Sequence, residues 1–174
     1  MNEEKKAILF NEVVQQNKGL LISIVRTYTK TKDEENDLLQ EILLQIWLSL
    51  ERYNRDFKLS TWLYRIGLNV AISSFRSKTR REARNIPLSE DLMQVSSDGE
   101  YENNEQVQLL HGFIQELNSV DKALTLLFLE EKSYNEISDI LGISVSNVGT
   151  KLGRIKEKLR KRFEDFENGL QRKK

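Results

Sequence analysis

Five side chains near the C-terminus have the types and spacing to read a nucleic acid. Ser146, Asn147, Thr150, Lys151 and Arg154 recur at helical intervals within SVSNVGTKLGRIKEKLRK. Asn, Lys and Arg carry the donors and acceptors that match base edges in a major groove. Lys156, Lys158, Arg160, Lys161 and Arg162 follow, and suit phosphates or solvent. Catalytic chemistry is poorly supported by comparison. The chain has no cysteine and a single histidine, His111, which excludes thiolate sites and His-based triads and reads as a surface or packing residue. Glu130, Glu131, Glu136 and Asp139 fit helix surfaces better than a metal site. No catalytic residue, metal or cofactor is expected.

The elements that must hold the five residues are a pair of helices. Ser133 followed by Glu136 is a capping box, which starts a helix at Tyr134. Ile137, Ile140 and Leu141 line its inner face, and Gly142 supplies the left-handed residue that ends it. Ser144 caps the next helix, which buries Val148, Leu152, Ile155 and Leu159. The five polar residues lie opposite that stripe, as in the second helix of a helix-turn-helix. The plainer alternative is a helical hairpin with a solvated basic face.

A second group lies upstream. Residues 37–50, DLLQEILLQIWLSL, form a helix whose Leu39, Ile42, Leu43, Ile46 and Leu50 make a buried stripe. Asp37, Gln40, Glu41, Leu44 and Leu48 share the other side. Leucines beside carboxylates on an outward face suit a protein interface, and equally a helix buried on both sides. Next comes YNRDFKLSTWLYRIGLNVAISSFRSKTRR, residues 53–81. Ser60 is expected to cap a helix burying Leu63, Ile66, Gly67 and Val70. Phe57, Trp62 and Tyr64 interleave with Lys58 and Arg65 around its start, and Arg76, Lys78, Arg80 and Arg81 follow. Aromatic faces among cations are how single strands are held, although Trp62 alone is better read as packing.

Helical periodicity runs through almost the whole chain, so the fold class is all-α. One interruption, residues 85–106, holds the only proline and several carboxylates and reads as a flexible acidic linker. It separates residues 1–84 from residues 107–174. The charged start MNEEKKAILF is unlike a signal peptide, and no apolar run is long enough to span a bilayer, so a cytoplasmic location without membrane insertion is expected. Lys+Arg and Asp+Glu each number 27 in 174 residues, giving zero net charge. A protein working alone on DNA relies on phosphate neutralisation, so a neutral chain with two small basic patches is expected to bind duplex poorly by itself.

DLLQEILLQIW, KLSTWLYRIGLNVAISSFR, the acidic linker and SYNEISDILGISVSNVGTKLGRIKEKLR, in that order, resemble an extracytoplasmic-function sigma factor of the sigma-70 family. The resemblance covers nearly the whole chain. It implies that residues 1–84 are a region 2-like domain that binds the clamp of bacterial core RNA polymerase and captures the melted −10-type promoter element. It implies that residues 107–174 are a region 4-like domain that binds the polymerase flap and reads the −35-type element. Carried over by position, Asp37, Gln40 and Glu41 meet the clamp, with Leu44 and Leu48 on the same face. Trp62 and Asn69 face the melted strand, with Lys58, Arg65, Arg76 and Arg80 on its backbone. Residues 53–59, with Asn69, are expected to build the pocket for an unpaired base. Asn147, Thr150, Lys151 and Arg154 face the upstream promoter DNA. The linker is expected to thread toward the polymerase active-site and RNA-exit channel, and an anti-sigma factor is a further implied partner. The chain departs from the family pattern at Leu68 and Ser73, often Arg and Asp there, at Gly149, where lysine is common, and at Gly153. The competing reading is an autonomous helix-turn-helix regulator that binds its operator without polymerase.

Overall fold

A computed structural model describes residues 2–53, 56–84 and 104–171, with side chains of 82–84 excluded. Every regular element among the described residues is helical. The chain divides into two compact units, residues 1–98 and 99–174. Most of the acidic segment read as a linker, 85–103, lies outside the described residues.

The first unit contains α1 (Glu3–Gln16), α2 (Lys18–Tyr28), α3 (Lys32–Ser49), a 3-10 turn (Leu50–Arg52) and α4 (Leu59–Arg84). Asn2 caps α1 by accepting from the Glu4 amide, and Glu3 and Glu4 favour the positive helix end. Asn17 joins α1 to α2 and donates its side-chain N–H to the Val13 carbonyl at 2.8 Å. Thr31 caps α3, accepting from the Glu34 amide at 3.3 Å, while the Glu34 carboxylate accepts from the Lys30 amide.

α4 lies against both α2 and α3. Leu21, Ile24 and Val25 of α2, Leu38, Ile42 and Ile46 of α3, and Leu63, Tyr64, Leu68 and Ala71 of α4 form the core. Each fully buried aliphatic side chain stabilises this arrangement by about 1.5–3 kcal/mol. Gly67 sits at the crossing. A β-carbon there would lie 2.6 Å from Ile24 Cδ1 and 3.8 Å from Ile42 Cγ2, so its absence sets how closely α4 approaches.

Several sequence expectations shift here. Leu38 is buried with Ile42, Ile46 and Leu50, whereas Leu39 and Leu43 are only half-buried. Likewise Ile66 and Val70 are half-buried, because the α4 core stripe runs through Leu63, Tyr64, Gly67, Leu68 and Ala71. Ser60 is not the cap. α4 begins at Leu59, and the Lys58 carbonyl accepts from the Trp62 amide, which places Ser60 inside the first turn.

The second unit contains α5 (Glu105–Gln115), α6 (Ser119–Leu129), α7 (Tyr134–Leu141) and α8 (Val145–Gln171). α5 begins two residues before the expected boundary because Asn104 caps it, accepting from the Gln106 amide at 3.0 Å. Asn118 caps α6 through the Val120 and Asp121 amides. α6 and α7 pack on α8, enclosing Leu124, Leu127, Ile137, Val148, Leu152 and Ile155. Lys122 is wholly buried within this unit. Its ammonium donates to the Gln115 carbonyl at 2.9 Å and to the Gln115 side-chain oxygen at 3.1 Å, which supplies the hydrogen bonds a buried charge requires.

Candidate nucleic-acid and protein interfaces

The helix pair closes as its capping residues dictate. Ser133 Oγ accepts from the Glu136 amide at 3.2 Å, and the Glu136 carboxylate accepts from the Ser133 amide at 2.9 Å. Gly142 takes φ 67°, a left-handed conformation that costs residues with a β-carbon about 1–2 kcal/mol. The Ser138 hydroxyl donates across the turn to the Ile143 carbonyl. Ser144 then caps α8, accepting from the Asn147 amide at 3.1 Å. Val148, Leu152 and Ile155 are buried, and Leu159 is half-buried.

This seating turns Ser146, Asn147, Thr150 and Arg154 out to solvent, with Lys151 half-buried at the edge. The Thr150 hydroxyl donates to the Ser146 carbonyl at 3.1 Å, so it faces an incoming base as an acceptor. Tyr134 is an unforeseen neighbour. Its ring lies 3.5 Å from where a Gly149 β-carbon would be, in ordinary contact distance, and forms a wall beside the exposed arc. Gly153 faces open space.

The basic run after the arc is divided among different tasks. Arg160 pairs with Glu157 at 2.7 Å and with Glu164 at 3.2 Å. The hydrogen bond and charge of Arg160, with the charge of Lys161, hold the Glu157 carboxyl below its ordinary range. Arg162 donates to Glu116 at 2.6 Å and lies over the Phe113 ring, tying α8 to α5. Lys156 lies 4.2 Å from the centre of the Phe128 ring. Phosphate binding by the whole run, as its composition suggested, is therefore narrowed by these contacts.

In the first unit, Asp37, Gln40, Glu41, Leu44 and Leu48 are all exposed on the outer side of α3. Leu44 and Leu48 are 53% and 56% exposed, so within the unit nothing buries this second face. On α4 the residues expected to face a melted strand fall in register. At about 100° per residue, Trp62, Arg65, Asn69, Arg76 and Arg80 lie within about 60° of one another, opposite the core stripe. Asn69, Arg76 and Arg80 are exposed, and Trp62 and Arg65 are half-buried. Lys58 is exposed just before the helix.

Two aromatic contacts shape the start of this strip. Tyr53 and Trp62 pack with ring centres 5.0 Å apart, and the Tyr53 hydroxyl donates to the Phe57 carbonyl at 2.9 Å. The Arg65 guanidinium lies 3.9 Å from the centre of the Phe57 ring. Tyr64, grouped by sequence with the stacking aromatics, is instead buried in the core. Lys78 also leaves the strip. It lies on the core side of α4, where it pairs with Glu34 of α3. Burial raises the Glu34 carboxyl, but hydrogen bonds from Lys78 and the Lys30 amide outweigh it and hold the group below its ordinary range.

Comparison with known proteins assigns both units to one family. The family described as Sigma-70 region 2 matches residues 13–81, and that described as Sigma-70, region 4 matches residues 109–159. The chain is 29% identical over 168 residues to the ECF RNA polymerase sigma factor SigW of Bacillus subtilis, covering 90% of each chain. It is 27% identical over 155 residues to SigM of the same organism, covering 86% of this chain and 92% of the relative. The chain belongs to the extracytoplasmic-function group of the sigma-70 family. It is an RNA polymerase sigma factor, which directs promoter-specific transcription. The solved structure of the sigma factor RpoE in complex with the anti-sigma factor NepR, from Bartonella quintana, shares its fold. The TM-score is 0.68 at 16% identity, over 89% of this chain and 96% of that one.

In this sigma factor the α3 face and the α4 strip both fall within the region 2 match, and the arc on α8 falls within the region 4 match. Among the described residues no group of His, Cys, Asp and Glu could hold a metal ion, and no helix is long and apolar enough to cross a membrane. Sequence reasoning missed Tyr134 as a wall of the arc and Arg65 as a cap on Phe57. Both contacts join residues in different elements or turns, which one-dimensional periodicity does not relate.

Proposed function

We propose that this sigma factor works through three surfaces. The outer face of α3 (Asp37, Gln40, Glu41, Leu44 and Leu48) binds the clamp of core RNA polymerase. The strip of Lys58, Trp62, Arg65, Asn69, Arg76 and Arg80 captures the melted non-template strand of the −10-type element. The arc of Ser146, Asn147, Thr150, Lys151 and Arg154 reads the upstream −35-type duplex, as the second helix of a helix-turn-helix does. Residues 1–84, with the polymerase and melted-strand surfaces, and residues 107–174 act as separate modules on one polymerase, joined by the acidic segment. The protein acts by binding, in the cytoplasm, with no cofactor and no catalytic step of its own.

The observation that carries this reading is the register of α4. One side supplies a continuous core, and the opposite side aligns an aromatic, an amide and three guanidinium groups over 18 residues, or about 27 Å. Unstacking a base costs a few kcal/mol, and trapping the displaced base and its backbone on such a strip offsets that cost. The packing of half-buried Trp62 against Tyr53 supports a role for it as a fixed wall. The RpoE relative was solved bound to an anti-sigma factor. The exposed leucines of α3 support a similar partner here, which would compete with polymerase for them.

Reconstitution tests the proposal. The chain and bacterial core polymerase should co-elute in gel filtration, and the complex should initiate at selected start sites in a pool of genomic promoter fragments. Absence of co-elution, with tight operator binding by the chain alone, would replace it with the autonomous regulator.

A further inference from the structure

Five cations follow the base-reading arc of α8, and their surroundings separate them. Arg160 is engaged by Glu157 and Glu164, Arg162 by Glu116 and Phe113, and Lys156 by the Phe128 ring. Lys158 and Lys161 are exposed and make no hydrogen bond or ring contact among the described residues, although the charge of Lys161 is felt by Glu157 one turn away. Their direction is equally distinct. At about 100° per residue, Lys161 and Lys158 lie about 20° and 40° from Arg154, on the two sides of it, whereas Lys156 lies about 160° away. Thr150, Gly153, Arg154, Glu157, Lys158 and Lys161 line one shallow hollow on the helix surface.

Helix length decides what those two lysines can reach. Residues 146–154 span about 12 Å of axis at 1.5 Å per residue, matching a major groove about 12 Å wide. Lys158 and Lys161 lie about 6 Å and 10 Å further along the same side. A helix whose first turns occupy the groove must there pass the sugar–phosphate wall. Glu157 shares the hollow, but Arg160 offsets its charge and limits repulsion of a phosphate.

We propose that Lys158 and Lys161 form a phosphate rail that continues the base-reading arc of α8, while Lys156 and Arg162 tie α8 to its neighbours, Arg160 pairs within α8, and none of these three neutralises a phosphate. This rests on α8 being the duplex-reading helix. The rail positions the reader without selecting sequence.

The test uses the full sigma–core complex and a promoter fragment recovered by selection, with affinity measured between 50 and 200 mM salt. Each phosphate contact contributes about 0.9 to the slope of log affinity against log salt. Lys158→Gln and Lys161→Gln should each reduce the slope by about 0.9, and the double variant by about 1.8, with base preference unchanged. Lys156→Gln should leave the slope as it was. An unchanged slope in the double variant, or an equal loss in Lys156→Gln, would overturn the rail. Thr150→Ala separates the two levels. If it relaxes upstream base preference while the lysine variants do nothing, only the rail fails. If upstream preference is also insensitive to Thr150→Ala, α8 is not the reader.

Discussion

At the scale of single residues, the capping groups of the C-terminal helix pair were legible, because their chemistry acts within four positions of the chain, whereas Ser60, expected as a cap, is not one. The Ser133–Glu136 box and Gly142 were readable without knowing what packs nearby. Ser133→Ala should therefore destabilise the second unit by about 1 kcal/mol, the usual worth of an N-cap, measured as a lowered unfolding midpoint. Longer-range pairings were not legible. Nothing local in the sequence joins Lys78 to Glu34, 44 positions away, or Arg162 to Glu116, 46 positions away. The first of these has a pH signature. Glu34 is held below the ordinary carboxylate range in the folded state, so its contribution is present above the unfolded value and is lost as pH falls through the lowered one. Glu34→Gln should lower stability to urea at pH 7 and make progressively less difference as the pH falls through the lowered value, where the wild-type carboxyl is also protonated.

At the scale of elements, periodicity identified which helices have two functional sides and misjudged what covers their shoulders. α3 was read with Leu39 and Leu43 inside, but its deepest contacts go to α2 and α4 through Leu38, Ile42 and Ile46. Phe10 of α1 meets Trp47 edge-on with ring centres 5.4 Å apart, so α1 takes a flank the sequence left unassigned. The outward position of Leu44 and Leu48 was one of two readings left open by spacing alone, and their exposure selects it. Because neither leucine contributes to the core, Leu44→Asp with Leu48→Asp should leave the unfolding midpoint nearly unchanged. The same pair should cut binding to core polymerase by at least tenfold in a titration, since buried apolar anchors dominate interface energy. Loss of stability in step with binding would instead assign the pair to packing. The α4 strip was legible for the complementary reason. Its Trp, Arg, Asn, Arg, Arg spacing keeps one face over five turns, and Lys78, Arg81 and Tyr64, on the other side, had to be removed from the basic and aromatic sets.

At the scale of the whole molecule, zero net charge becomes a constraint on how the protein reaches DNA. The chain carries 27 cations and 27 carboxylates. Part of the cationic charge is spent internally, on Glu34, Glu116, Glu157 and Glu164. The arc and the rail together leave Lys151, Arg154, Lys158 and Lys161 facing a duplex. Long-range steering is then weak, and isolated affinity should lie in the non-specific range of about 10⁻⁴–10⁻⁶ M near physiological salt. On the proposed reading polymerase changes this by linkage: with the α3 face bound, the strip and the arc would meet one promoter as linked sites, and linkage raises overall affinity by about 10²–10⁴. The chain alone and its complex with core should therefore differ by at least that factor on the same selected promoter, measured by fluorescence anisotropy at matched salt. Part of any difference will come from polymerase's own DNA contacts, which a mutant promoter lacking the upstream element controls for. On that promoter the advantage of the complex should shrink, and Thr150→Ala in the complex should have no further effect. If the free chain already distinguishes the upstream element at nanomolar concentration, its neutrality has not limited it, and polymerase is unnecessary for recognition. Low affinity in isolation has a functional consequence that this comparison exposes. A free subunit that binds duplex poorly stays available to polymerase, and its specificity is expressed only after assembly.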